Sequence, residues 1–148
     1  IVDFLERPPT GESAAVFRLL RLVTTYDKPL VACVDGVAVG IGTTLLLHCD
    51  LVVASTRARF QVPFVRLGLV PEGGSTVLLP ALAGRQRAAE WLLLGDMVEP
   101  EALREAGLLN RVTTPEAAEP TAVELATRLA ALPPDAVRET RALLRARA

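Results

Sequence analysis

Residues 28–42 read KPLVACVDGVAVGIG, an apolar run closed by a glycine-rich turn. Residues 30–34 are short, apolar and rich in β-branched side chains, which is typical of a strand that is covered on both faces. Residues 35–36 end this strand, and residues 40–42 begin a helix that we expect to continue to about Cys49. A strand, a turn and a helix in this order indicate an α/β structure.

The same alternation continues on both sides of this stretch. An amphipathic helix is predicted before it, and Lys28-Pro29 ends that helix because the residue before a proline avoids the α region. Short buried strands that alternate with helices predict a single α/β domain with parallel strands. The predicted helices cover residues 12–26, 40–49, 75–82, 85–94, 100–106, 116–132 and 134–147, and the predicted strands cover 30–34, 51–54 and 109–112. We expect residues 60–71 to be irregular, because prolines and glycines interrupt them.

Composition excludes several classes of function. The chain has 148 residues and a net charge of −1, so it lacks the basic surface that nucleic acids or anionic lipids require. No apolar run reaches the length of a membrane span, and no signal peptide opens the sequence, so we expect no membrane association and a cytoplasmic location.

Cysteine and histidine content argues against a metal site. His48 is the sole histidine, so a zinc site built from several His and Cys ligands cannot be assembled. We expect Cys33 and Cys49 to be buried thiols in a reducing compartment, not a disulfide.

The turn at residues 36–42 is the first candidate site. Its glycines allow the backbone to approach a ligand closely, and the first amides of the following helix point toward an incoming anion. An enolate or another oxyanion would suit such a turn. Close packing of strand against helix is the usual reason for such glycines, so this pattern alone favours a structural role and leaves the functional one open.

Glu72 is the second candidate. It is a single carboxylate in an apolar stretch, between Pro71 and two glycines, with Phe64, Leu69 and Val70 nearby in sequence. A carboxylate in such surroundings suits a base that shuttles protons. The alternative is a solvated glutamate in the first turn of a helix, where the helix dipole would stabilise its charge.

The ordered set of these residues resembles the crotonase family over essentially the whole chain. The matching positions are residues 28–32, 35–36, 40–42, 49–50, 60–63, 67–68, 71, 73–76, 95–96, 102, 106–108 and 112. The resemblance implies an α/β spiral of ββα units at residues 1–112, followed by C-terminal helices at 113–148. It also implies homotrimers or hexamers, acyl-CoA thioester substrates and no cofactor or metal, because coenzyme A belongs to the substrate.

Two departures from the family pattern narrow the expected reaction. The two glutamates that handle water in the hydratases correspond here to Thr44 and Phe64, which carry no carboxylate. Glu72 instead falls where the Δ3,Δ2-enoyl-CoA isomerases of this family place their single catalytic glutamate. The resemblance therefore implies an isomerase in which Glu72 moves a proton from C2 to C4 and the Ile41 amide helps to hold the dienolate.

The remaining site residues follow from the same resemblance. Gly40, Gly42, Thr44, Phe64 and Leu69 are predicted to contact the substrate, with Phe64 excluding water.

The resemblance also places the first oxyanion donor and most coenzyme A contacts in a motif before residue 1. We therefore expect the chain to lack the N-terminal part of the domain and to be catalytically poor alone. A non-catalytic acyl-CoA-binding or scaffolding protein, or another crotonase reaction such as hydration, stays open. His48, Asp50, Asp96 and the arginines at 138, 141 and 145 are expected to be structural or solvated.

Overall fold

Two small parallel sheets form the centre of the computed structural model, which describes residues 14–146. The strands are β1 (Val31–Val34), β2 (Val37–Val39), β3 (Leu51–Ser55), β4 (Arg59–Gln61) and β5 (Arg111–Thr113). The first sheet has the order β1-β3-β5 and the second pairs β2 with β4. Val34 lies opposite Ala54 in the first sheet, and Val39 lies opposite Gln61 in the second.

Helices connect and cover the strands. They are α1 (Ala15–Thr25), α2 (Ile41–Thr44), α3 (Ser75–Ala83), α4 (Arg85–Ala89), α5 (Pro100–Glu105), α6 (Pro115–Ala130) and α7 (Pro134–Arg145). Helix α2 continues as a 3₁₀ helix at Leu45–His48, α4 continues as a π-helical segment at Glu90–Leu94, and a separate 3₁₀ turn covers Val65–Leu67. The predicted positions of the helices are confirmed to within a few residues, except that the predicted 12–26 helix begins partly outside the described residues.

The chain order of the strands alternates between the two sheets. Strands β1, β3 and β5 enter one sheet, whereas β2 and β4, which follow β1 and β3 directly, enter the other. Each ββα unit therefore adds a turn to a spiral, as the resemblance implied. The prediction missed β2 and β4, which it assigned to a turn and to an irregular segment.

Strand β3 is the most deeply buried part of the sheets. Val52 and Ala54 point into the main core with Phe60, while Val53 points the other way, toward Ala118 of α6. A strand buried on both faces has this continuous apolar pattern. Strand β1 is less covered, and its residue Cys33 is exposed. Cys49, which follows the 3₁₀ helix at Leu45–His48, is half-buried, so the expectation of two buried thiols was wrong.

The C-terminal helix α7 is attached to the rest of the chain by arginines. Arg141 is 7% exposed, and its Nε donates to both carboxylate oxygens of Asp50 at 2.8 Å. Asp50 also accepts the backbone N–H of Leu30 at 2.7 Å. The expectation of a solvated arginine face therefore holds for Arg138, which is exposed and paired with Asp135, but was wrong for Arg141.

Candidate active site

The turn between β2 and α2 has a backbone that only glycine adopts readily. Gly40 has φ 58° and ψ −118°, and its N–H donates to the Gln61 carbonyl at 2.8 Å. Its carbonyl accepts the N–H groups of Thr43 at 2.9 Å and Thr44 at 3.0 Å. A Cβ placed on residue 40 would lie 3.6 Å from the Phe64 ring, so the ring packs directly over the turn.

The amides of Ile41 and Gly42 come immediately after this turn. They precede the first amides that bond to the Gly40 carbonyl, and amides at this position have no acceptor one turn earlier in the helix. Helix α2 has four residues, from Ile41 to Thr44, so its two ends lie about 4.5 Å apart along the axis. The Ile41 amide and Thr44 therefore belong to the same short helical turn.

Glu72 reaches this helix from a later part of the chain. The Thr44 hydroxyl, on a fully buried side chain, donates to Glu72 Oε1 at 2.5 Å. Glu72 Oε2 is buried and, among the described residues, has no hydrogen-bond partner. One oxygen of the carboxyl group is thus held by Thr44, and the other has no hydrogen-bond partner among the described residues.

Two hydrogen bonds hold the backbone on the C-terminal side of Glu72. The Ser75 hydroxyl donates to the Glu72 carbonyl at 2.7 Å. The next carbonyl, that of Gly73, accepts a hydrogen bond from His48 Nε2 at 2.8 Å. Gly73 has φ +65°, a left-handed conformation in which a side chain is strained.

Glu72 does not lie in the first turn of a helix. Helix α3 begins at Ser75 with Gly74 as its N-cap residue, and its first turn contains no acidic side chain. The interpretation of Glu72 as a helix-start glutamate was therefore wrong.

Phe64 and Leu69, two further predicted site residues, lie in the loop that leads to Glu72. Phe64 is half-buried and packs against the main core. Leu69 is half-buried, and its N–H donates to the Phe64 carbonyl at 2.9 Å, which closes the loop. Phe64 therefore contacts both other residues: its ring packs over Gly40, and its carbonyl accepts the Leu69 N–H.

Sequence reasoning missed the contributions of His48 and Ser75 to this site. His48 was assigned to a helix end without a role, yet its ring holds the carbonyl beside Glu72. Its position four residues after Thr44 was the available signal, because residues i and i+4 share one face of a helix.

The described part of the chain offers no metal site and no membrane span. Across residues 14–146, no group of three or more His, Cys, Asp and Glu side chains is placed to hold a metal ion. None of the helices in this range is both long enough and apolar enough to cross a bilayer.

Comparison with protein families identifies the class. A family model described as enoyl-CoA hydratase/isomerase matches residues 5–148, so the chain belongs to this family and has the crotonase fold. Two solved structures share the fold: Pseudomonas aeruginosa OdaA and an enoyl-CoA hydratase/isomerase from Pseudoalteromonas atlantica T6c. OdaA gives a TM-score of 0.93 at 43% identity, with 98% of this chain and 59% of OdaA covered. The P. atlantica protein gives 0.91 at 35% identity, with 99% of this chain and 59% of that chain covered.

Curated relatives act on several coenzyme A thioesters. The 1,2-epoxyphenylacetyl-CoA isomerase of Escherichia coli K12 is 42% identical over 128 residues, which are 85% of this chain and 49% of that protein. The 2,3-dehydroadipyl-CoA hydratase of the same organism is 35% identical over 120 residues, 81% of this chain and 47% of that protein. The chain thus spans about half the length of these relatives, and their names include both an isomerase and a hydratase.

Proposed function

We propose that this chain carries the acid–base half of an enoyl-CoA isomerase, which converts a 3-enoyl-CoA into a 2-enoyl-CoA. The observation that carries the proposal is the Glu72 carboxyl group, with one oxygen held by Thr44 and the other buried without a partner. One free carboxyl oxygen is the chemical requirement for a proton shuttle that adds no water.

The side chains at positions 44 and 64 support isomerisation over hydration. Hydration needs groups that activate water and deliver its proton, and the positions of the two hydratase glutamates hold Thr44 and Phe64. Thr44 is committed to Glu72, and the Phe64 ring covers the Gly40 turn, so neither is arranged to activate water. The E. coli relative named 1,2-epoxyphenylacetyl-CoA isomerase supports isomerisation of a coenzyme A thioester as a broad class, although its substrate is an epoxide.

The proposed reaction has two proton transfers. Glu72 removes a proton from C2, and the electron pair of that C–H bond delocalises into the thioester and the C3=C4 double bond to give a dienolate. The Ile41 amide stabilises the negative charge on the thioester oxygen, as fixed donors do for developing oxyanions. The protonated Glu72 then gives the proton to C4, which restores the carboxylate and leaves the double bond between C2 and C3.

The test is a Glu72→Gln variant of the full-length gene product, assayed on a 3-enoyl-CoA beside a 2-enoyl-CoA. We expect kcat for isomerisation to fall by about 10²–10⁴-fold, the range that a general acid–base contributes, while acyl-CoA binding is retained. Glu101→Gln is the matched control, because Glu101 is an exposed carboxylate on α5 that pairs only with Arg104 among the described residues.

Three results would contradict the proposal. They are full isomerase activity in Glu72→Gln, appreciable hydration by the wild type, and acyl-CoA binding without any turnover by the wild type. The last would favour a scaffolding protein. The homotrimer or hexamer that the resemblance implied stays a prediction.

A further inference from the structure

We propose that the Thr44 hydroxyl is a positioning group that occupies Glu72 Oε1, so that Oε2 alone makes both proton transfers. This inference rests on the isomerase function proposed above and adds the atom that carries the proton. Sequence comparison placed Thr44 only in the wall of the substrate pocket. In the structure its hydroxyl points at the carboxyl group itself, at 2.5 Å.

Thr44 is held rigidly enough to act as such a group. Its side chain is fully buried, and its backbone N–H is bonded to the Gly40 carbonyl at 3.0 Å. The Gly73 backbone lies against it: a Cβ on residue 73 would be 3.2 Å from Thr44 Oγ1 and 3.3 Å from Thr44 Cβ. The hydroxyl therefore has little room to turn away from Glu72.

The rest of Glu72 is fixed independently of Thr44. Ser75 bonds to the Glu72 carbonyl and His48 bonds to the Gly73 carbonyl, so the backbone on that side of the residue has two anchors. What these anchors leave free is rotation of the side chain and its carboxyl group. The hydrogen bond from Thr44 restricts that rotation.

The hydroxyl also decides which oxygen takes the proton. A threonine hydroxyl has one hydrogen, and in the structure it is donated to Oε1. When the C2–H bond breaks, the new O–H bond therefore forms at Oε2, which has no hydrogen-bond partner among the described residues. The same O–H bond breaks when C4–H forms, so the carboxyl group need not turn over between the two steps.

The experiment compares Thr44→Val with Thr44→Ser in the full-length gene product, using a 3-enoyl-CoA that carries deuterium at C2. Valine keeps the shape and removes the hydroxyl, whereas serine keeps the hydroxyl. We expect kcat to fall by about 10- to 100-fold in Thr44→Val, as for other misplaced catalytic groups, with KM changed less than threefold and thermal unfolding near that of the wild type. Thr44→Ser is expected to recover kcat to within about threefold.

Deuterium transfer separates positioning from a merely structural role. A carboxyl group that can rotate exposes its proton to exchange with water, so the fraction of deuterium delivered to C4 should drop at least about twofold in Thr44→Val and recover in Thr44→Ser. If Thr44→Val does not fold, Thr44→Ala and Thr44→Ser provide the same comparison, since they differ by the hydroxyl alone.

The outcomes separate this inference from the proposed function. No isomerisation by the wild type would overturn both. Isomerisation that depends on Glu72, together with a Thr44→Val variant that matches the wild type in kcat and deuterium transfer, would overturn the inference alone. So would a Thr44→Ser variant as impaired as Thr44→Val.

Discussion

Replacing Arg141 by methionine is expected to destabilise the protein by about 3 kcal/mol, the lower end of the range for breaking a buried ion pair. The Arg141 side chain is 8% exposed, and its Nε donates to both carboxylate oxygens of Asp50 at 2.8 Å. Its Nη1 donates to the Tyr26 carbonyl at the end of α1. Methionine would fill most of the space but would leave the Asp50 charge and this carbonyl without the guanidinium.

Two features place the expected cost at the lower end. The Asp50 side chain is 25% exposed and accepts the Leu30 N–H at 2.7 Å. In Arg141→Met its carboxylate would therefore still be in contact with water and with one hydrogen-bond donor. Arg141 Nη2 is buried without a partner among the described residues, and removing an unpaired donor returns about 1 kcal/mol. A loss of about 3 kcal/mol corresponds to a melting temperature about 10 °C lower for a domain of this size.

The assay is urea unfolding of the wild type, Arg141→Met, Asp50→Asn and the double variant, which together form a thermodynamic cycle. We expect a coupling of about 2 kcal/mol, because the double variant no longer contains a stranded charge. Arg138→Met is the control: Arg138 is half-exposed and pairs with the exposed Asp135, so its loss should cost less than about 1 kcal/mol. A cost below 1 kcal/mol for Arg141→Met, or additive effects in the cycle, would refute the reasoning.

Two further perturbations test the packing next to the site. Gly73→Ala is expected to lower the free energy of unfolding in urea by about 2 kcal/mol and isomerase kcat by more than tenfold. The added Cβ would strain a left-handed residue and press on Thr44. A variant with wild-type kcat would contradict this. Burial, with a smaller contribution from Asp50, raises the pKa of the Cys49 thiol, so less of it is thiolate at a given pH than in a free cysteine. Iodoacetamide should therefore label Cys49 more slowly than a free cysteine at pH 8, and the labelling rate should keep rising at higher pH. Equal labelling rates at pH 8, measured by mass spectrometry, would contradict this.

The larger elements could be predicted from sequence because their patterns are local. Strand β3 reads as a continuous apolar run, and the helices have apolar periodicity or clear stop residues such as Gly84. Strands β2 and β4 have three residues each, too few to show alternation, and they form by pairing with each other across about twenty residues. A pairing of this kind is decided by the fold and leaves little local signal.

The site could be predicted only in part, for the same reason. Glu72 and the turn that contains Ile41 were candidates from their own sequence, and the family resemblance gave them their predicted roles; the contact between Glu72 and Thr44, by contrast, joins residues 28 positions apart. Arg141 was misjudged because its helical spacing fits an exposed face, and its partner Asp50 is 91 positions away. Cys33 was misjudged because an apolar run does not reveal which strand lies at the edge of the described sheet.

The short helical segment from Ile41 to His48 connects the proposed chemistry to the C-terminal helix. Thr44 in the middle of it bonds to the Glu72 carboxyl group, and the His48 ring, at its C-terminal end, bonds to the Gly73 carbonyl. Arg145 of α7 in turn donates to the His48 carbonyl at 2.6 Å. Arg145 is thus connected through His48 to Gly73, so the position of α7 helps to set the position of Gly73. Helix α7 thereby supports the backbone beside Glu72, the proposed acid–base.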